Sequence, residues 1–145
     1  VRTWTYVFFG SPGNTALFSA MPAWILETRS GTTGFRYTLF HPRPGPDIPQ
    51  RIGHTVTLMT NSTAILYGGS RLDMSSFRVE MDPYPWCFNL QQHFWTKATF
   101  TTGNVPTARG QHVSFRYNAT AMIIHGGVQI DQPDGLVLQD RILGE

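Results

Sequence analysis

The stretch GHTVTLMTNSTAILYGG at positions 53–69 is echoed by QHVSFRYNATAMIIHGG at 111–127, and this echo limits the possible folds more than any other feature. Arg51 and Arg109, His54 and His112, and Gly68 and Gly126 are each 58 positions apart. Three markers of different chemistry keeping one period describe a structural unit used more than once. Such a unit cannot bury its apolar face alone and must lean on neighbours. A further trace lies upstream, where TWTYVFFGS at 3–11 resembles the run ending in the double glycine, with Gly10 again 58 positions before Gly68 and Ser11 in place of the second glycine.

The unit reads as short strands. HTVTLMT, 54–60, alternates small polar and apolar residues, as a half-buried strand does. Asn61-Ser62-Thr63 supplies turn residues, and AILYGG then forms a continuous apolar run suited to a strand covered on both faces. A helix would need a longer run with 3.6 spacing and would tolerate Gly68-Gly69 poorly. A polar connection follows from Ser70 to Pro85, then WCFNL from Trp86, the turn pair Gln91-Gln92, and HFWTKATF from His93 to Phe100.

Positions 51–108 are therefore expected to form one complete four-stranded antiparallel meander. The next begins at Gln111, with Asn118 in the equivalent turn. Upstream, PAWILET parallels YPWCFNL, and FRYTLF parallels FWTKATF. The chain divides into an incomplete unit at 1–50, a complete one at 51–108 and an incomplete one at 109–145. Fourteen glycines and ten prolines spread along it favour short strands over long helices, and 41% hydrophobic against 14% charged residues allows a core.

Four-stranded units at this spacing suggest propeller blades, and the sequence resembles the kelch-repeat β-propeller family. The residues that carry the resemblance are Arg51-Ile52-Gly53-His54, Tyr67-Gly68-Gly69, Trp86, Trp95, Arg109-Gly110-Gln111-His112 and His125-Gly126-Gly127. It spans nearly the whole chain and is weakest at 70–85 and after Asp131. The period is long for kelch, which an insertion at 70–85 would explain. The sequence departs from the pattern at Ser11, and at Gln111 where the preceding unit has Gly53.

The resemblance implies an all-β fold of kelch-type blades. A propeller closes at about four to eight blades, so it also implies an incomplete propeller completed by further blades. Gly68, Gly69, Gly126 and Gly127 are expected where the backbone needs positive φ or approaches a neighbouring sheet. Trp86 and Trp95 are expected to pack between blades.

In kelch substrate adaptors the arginine of a similar R-I-G stretch faces an acidic peptide, a use suited to its planar fork. Arg51 matches that motif and Arg109 matches it by register. The plainer alternative is that both brace loops through backbone carbonyls. Arg71 and Asp73, with Ser75 and Ser76, lie on the connection expected to open beside them, and loops on a rigid scaffold carry recognition. Phe77, Met81 and Tyr84 are either anchors there or tuck back onto the blade.

The functional expectation is a non-catalytic scaffold segment that binds a protein partner, an acidic peptide among the candidates. The alternative is a piece of a secreted galactose-oxidase-like or carbohydrate-active propeller enzyme. Cys87 lies near Tyr84 and Trp86, but nothing identifies a cross-linked pair, and no Ser/His/Asp or paired-carboxylate set appears. Of five histidines, His112 and His125 should lie on adjacent strands, yet no third ligand accompanies them, so neither metal nor cofactor is expected. His54 and His112 are expected to bond loop backbone.

The formal charge of +2, with no basic run, does not suggest a nucleic-acid partner. No apolar run is long enough for a spanning helix, and one cysteine forms no intrachain disulfide. Asn61-Ser62-Thr63 and Asn118-Ala119-Thr120 are N-glycosylation sequons in equivalent turns, which tilts the expected location towards the secretory route; without them the cytoplasm is expected.

Overall fold

Glycine, proline and Asn/Asp turns cut this chain into β-strands of four to seven residues in the computed structural model, which describes residues 2–8, 23–29, 35–40, 48, 51–73, 78–98, 106–131 and 139–142. In chain order the strands are β1 Arg2–Phe8, β2 Ala23–Arg29, β3 Phe35–Phe40, β4 Thr55–Thr60, β5 Thr63–Tyr67, β6 Ser70–Asp73 and β7 Arg78–Met81. They continue with β8 Trp86–Asn89, β9 Phe94–Lys97, β10 Val113–Arg116, β11 Met122–His125, β12 Val128–Asp131 and β13 Gln139–Ile142. The fold is all-β with antiparallel sheets, and there is no helix among the described residues.

β4, β5, β8 and β9 form a four-stranded sheet in that order, and β1, β2 and β3 form a three-stranded one. The expected strand at 93–100 is shorter than its apolar run. His93 sits in the preceding turn at φ 58, β9 ends at Lys97, and 99–100 lie outside the described residues.

The sequence period is also a period of backbone geometry. Thr55 pairs with Tyr67 in the first unit and Val113 with His125 in the second. Ile52 bridges Ser70 and Gly110 bridges Val128, each through a reciprocal pair of backbone hydrogen bonds.

The connection at 70–85, expected as an inserted loop, instead holds the β6–β7 hairpin. The hairpin escaped the periodicity reading because polar pairs help hold it, notably Arg71 opposite Glu80 at 2.6 Å. β12 and β13 pair in the same place of the next unit, so the hairpin belongs to the repeat and lengthens its period. One slip in register does occur, at a bulge between Leu58 and Thr60.

Alternation along the strands decides the core. Ala64, Phe88 and Trp95 are cross-strand partners on one face of the four-stranded sheet and pack with Ile48 and Leu66. Val56, Trp86 and Leu90 lie against this cluster. The Phe88 and Trp95 rings are 4.7 Å apart, and each large side chain buried here stabilises the fold by roughly 1.5–3 kcal/mol. Trp95 is buried; Trp86 is half-buried and its indole N–H is bonded elsewhere, as described below.

The opposite face of β4–β5 meets the second unit. Thr55 Oγ1 lies 2.7 Å from His112 Nε2, and Thr57 Oγ1 lies 2.5 Å from Ser114 Oγ. Gly69 N–H donates to the Arg109 carbonyl at 2.9 Å, and Gln111 N–H donates to the Gly53 carbonyl at 2.8 Å. The Tyr67 hydroxyl donates to the Pro106 carbonyl at 2.8 Å, and its ring stands edge-on to His112.

His112 and Ser114 therefore point towards the first unit, while the alternate residues Val113 and Phe115, with Ile123 opposite Phe115, point away from it. Repeat register pairs Phe115 with Thr57, yet Thr57 is 6% exposed under the second unit and Phe115 is 51% exposed.

Candidate functional site

At the end of the first unit where β5 leaves and β4 enters, Gly68 and Gly69 adopt φ +67 and +85. This turns the chain out of the sheet and presents the Gly68 carbonyl to Arg51. Arg51 is 2% exposed, and its Nη1 donates to that carbonyl at 3.3 Å and to Asp82 Oδ2 at 3.1 Å. Burial lowers the guanidinium pKa and the Asp82 charge opposes that shift. Asp82 Oδ2 also accepts the Trp86 indole N–H at 2.7 Å, while Oδ1 accepts the Tyr84 N–H at 2.9 Å. One carboxylate thus pairs a buried cation, caps a turn and fixes a tryptophan.

Arg109 repeats the first half of this arrangement. It is 1% exposed and donates from Nη1 to the Gly126 carbonyl at 3.1 Å and from Nε to the Thr107 carbonyl at 3.2 Å. Gly126 and Gly127 take φ +68 and +97, matching their counterparts in the first unit. Each arginine therefore reaches the carbonyl of the first glycine of its own pair.

Beside Arg51 lies a cleft of about 310 Å³ lined also by Arg71, Glu80, Met81, Asp82, Pro83 and Trp86. Its inner side is the pair of buried Arg51 with half-buried Asp82. Its outer side is the Arg71–Glu80 pair, whose side chains are 44% and 43% exposed. An ion pair so open to water is worth at most about 1 kcal/mol, so an incoming charge can displace either partner. Of the expected anchors, Met81 lines the cleft, and Tyr84 is exposed beneath the Lys97 ammonium, 3.1 Å from its ring centroid.

Asp73 pairs through its backbone with Arg78, while its side chain, and Ser75, Ser76 and Phe77, lie outside the described residues.

His112 bonds the Thr55 hydroxyl rather than loop backbone; burial first, then the charges of Arg109 and His54, bring its pKa down to about 4, so it is neutral at pH 7. Burial and then Arg51 lower that of His54, against which a hydrogen bond to the Arg51 backbone acts. His125 is exposed, opposite Val113. Among the described residues no three His, Cys, Asp or Glu side chains are grouped to hold a metal ion. Cys87 is half-buried, and burial raises its thiol pKa against the effect of a hydrogen bond with Thr96.

Glu80 and Asp82 were not singled out in the sequence. Asp82 carries a signal, since Asp-Pro favours a turn, but its pairing with Arg51 joins residues 31 positions apart. Asn61 and Asn118 are both exposed in hairpin turns. Among the described residues no helix is long and apolar enough to cross a membrane. No protein-family model matches the chain, and no curated protein matches it.

Proposed function

We propose that this chain is a non-catalytic repeat scaffold of kelch-type propeller blades which holds a protein partner at the end of the units where Arg51, Asp82, Arg71 and Glu80 meet. One observation carries this reading: the second unit reproduces the first in strand pairing, bridge, glycine pair and arginine-to-glycine bond, and rests on it through β10 against β4. In a propeller the first strands of successive blades lie side by side in this way. The outward face of Val113, Phe115 and Ile123 is then the seat of a further blade.

On this reading the buried arginines hold the scaffold and the β6–β7 hairpin makes the contact. Arg71 offers its fork to an acidic side chain in exchange for Glu80, and Arg51 lies behind it at the Asp82 carboxylate. Asp73 belongs to the same hairpin, and Arg109 holds the start of that hairpin from the next unit through its carbonyl on the Gly69 N–H.

Titration calorimetry with a short polyglutamate peptide tests the reading. Saturable binding is expected, weakened about tenfold or more by Arg71→Glu, a change of about 1.4 kcal/mol or more. Glu80→Gln should strengthen it by releasing Arg71. Absence of binding, or affinity indifferent to both substitutions in variants that melt like the parent, would remove the hairpin from the partner site.

A further inference from the structure

The far end of the units carries a chemistry that the cleft end does not use. The β4–β5 turn at 61–62 and the turn at 117–121 each expose an asparagine followed two positions later by threonine. Leu90 N–H donates to the Ser62 carbonyl at 2.8 Å, so the β8–β9 turn shares this end, whereas Gly68-Gly69 and the cleft lie at the other end of β5.

An asparagine in a turn often serves the turn itself, and Asn89 does so: its Oδ1 accepts the backbone N–H groups of Gln91 and Gln92, and no threonine follows at the sequon position. Asn61 is different. Its neighbours cap the turn, with Ser62 N–H donating to Thr60 Oγ1 at 3.2 Å, and the Asn61 side chain makes no hydrogen bond among the described residues. At Asn118 only the carbonyl oxygen is engaged: Oδ1 accepts from Thr120 N–H at 2.9 Å, Ala121 N–H at 2.8 Å and the Thr120 hydroxyl at 3.1 Å. Both amide nitrogens, the atoms a sugar would take, are therefore outside the turn's own bonding.

The two asparagines stand 57 rather than 58 positions apart, and the bulge at Leu58/Thr60 shifts the first hairpin by that one residue. The Asn-x-Thr triplet follows the hairpin tip rather than the strict period.

We propose that Asn61 and Asn118 are N-glycosylated, making this end of the repeat a sugar-covered surface opposite the cleft. The donor class is an oligosaccharide on a lipid pyrophosphate. A bond forms between Nδ2 and the first sugar carbon, the bond from that carbon to the pyrophosphate oxygen breaks, and the amide proton leaves with the released pyrophosphate. Both sugars would project from hairpin tips at the end opposite the cleft and so leave Arg71 and Glu80 open.

The test directs the 145-residue chain into the secretory pathway of a eukaryotic cell and measures intact mass, from lysate and medium together, before and after peptide-N-glycosidase. The expected result is loss of two glycan masses, leaving an aspartate where each occupied asparagine stood. Asn61→Gln and Asn118→Gln should each lose one glycan and the double variant both. Thr63→Val and Thr120→Val, which keep the asparagines, should repeat that pattern. A translocated chain whose mass the enzyme does not change overturns the proposal, as does a shift that persists in the double variant. The polyglutamate titration is independent of this outcome.

Discussion

Gly68→Ala should lower the stability of the chain by roughly 3 kcal/mol or more, among the larger effects a single methyl group can have. Two costs combine. At φ +67 an alanine pays about 1–2 kcal/mol for the left-handed conformation alone. Its Cβ would also run into the Arg109 carbonyl oxygen and come within 2.7 Å of His112 Cε1. That carbonyl already accepts the Gly69 N–H, so it cannot retreat without loosening the two units.

Gly110→Ala is the control. Gly110 is buried too, but its φ is not positive, and an added Cβ meets nothing closer than Met81 Cε at 3.5 Å. Urea denaturation of both variants should show a large fall in midpoint for Gly68→Ala and a small change for Gly110→Ala. A loss for Gly68→Ala no larger than the roughly 1–2 kcal/mol of its backbone conformation would mean that the units do not meet at this turn.

Asp82→Ala is expected to cost about 3 kcal/mol, the low end of the scale for removing one partner from a buried ion pair, because Arg51 is buried while Asp82 is 22% exposed. Arg51, at 2% exposure, would keep a buried charge with its carboxylate gone, and the Trp86 indole N–H would lose its acceptor. The loss belongs to the burial of the cation's charge more than to the pair itself. Arg51→Met combined with Asp82→Ala should therefore recover part of it, and a double-mutant cycle followed by denaturation measures the coupling. Additive losses would show that Asp82 acts on Trp86 and Tyr84 alone.

What was legible in the sequence follows from the kind of signal each element leaves. β4 and β5 stand out because alternation and an apolar run bounded by turn residues reflect burial directly, and the 58-residue spacing reappears in the pairing of Val113 with His125. The glycine pairs were readable because few residues tolerate φ near +70. The β6–β7 hairpin was not, since Arg71 opposite Glu80 leaves no hydrophobic period.

Nor could sequence alone assign the arginines. Arg51 and Arg109 reach carbonyls 17 positions away, and the acid at Arg51 comes from beyond an intervening hairpin, so long-range geometry decides which groups they meet. Of the cleft's lining, Arg51, Arg71, Met81 and Trp86 stand out in the sequence, whereas Glu80 and Asp82 look like ordinary polar residues of a connection.

Residue-resolved amide hydrogen exchange at Gly69 and Gln111 tests the packing of one unit on the next most directly, because each of these N–H groups donates only across that junction, to Arg109 and Gly53 respectively. Protection at both sites comparable to that of Leu66 within β5 is the predicted result. Rapid exchange at both while Leu66 stays protected would contradict it, leaving a folded sheet with no second unit packed against it.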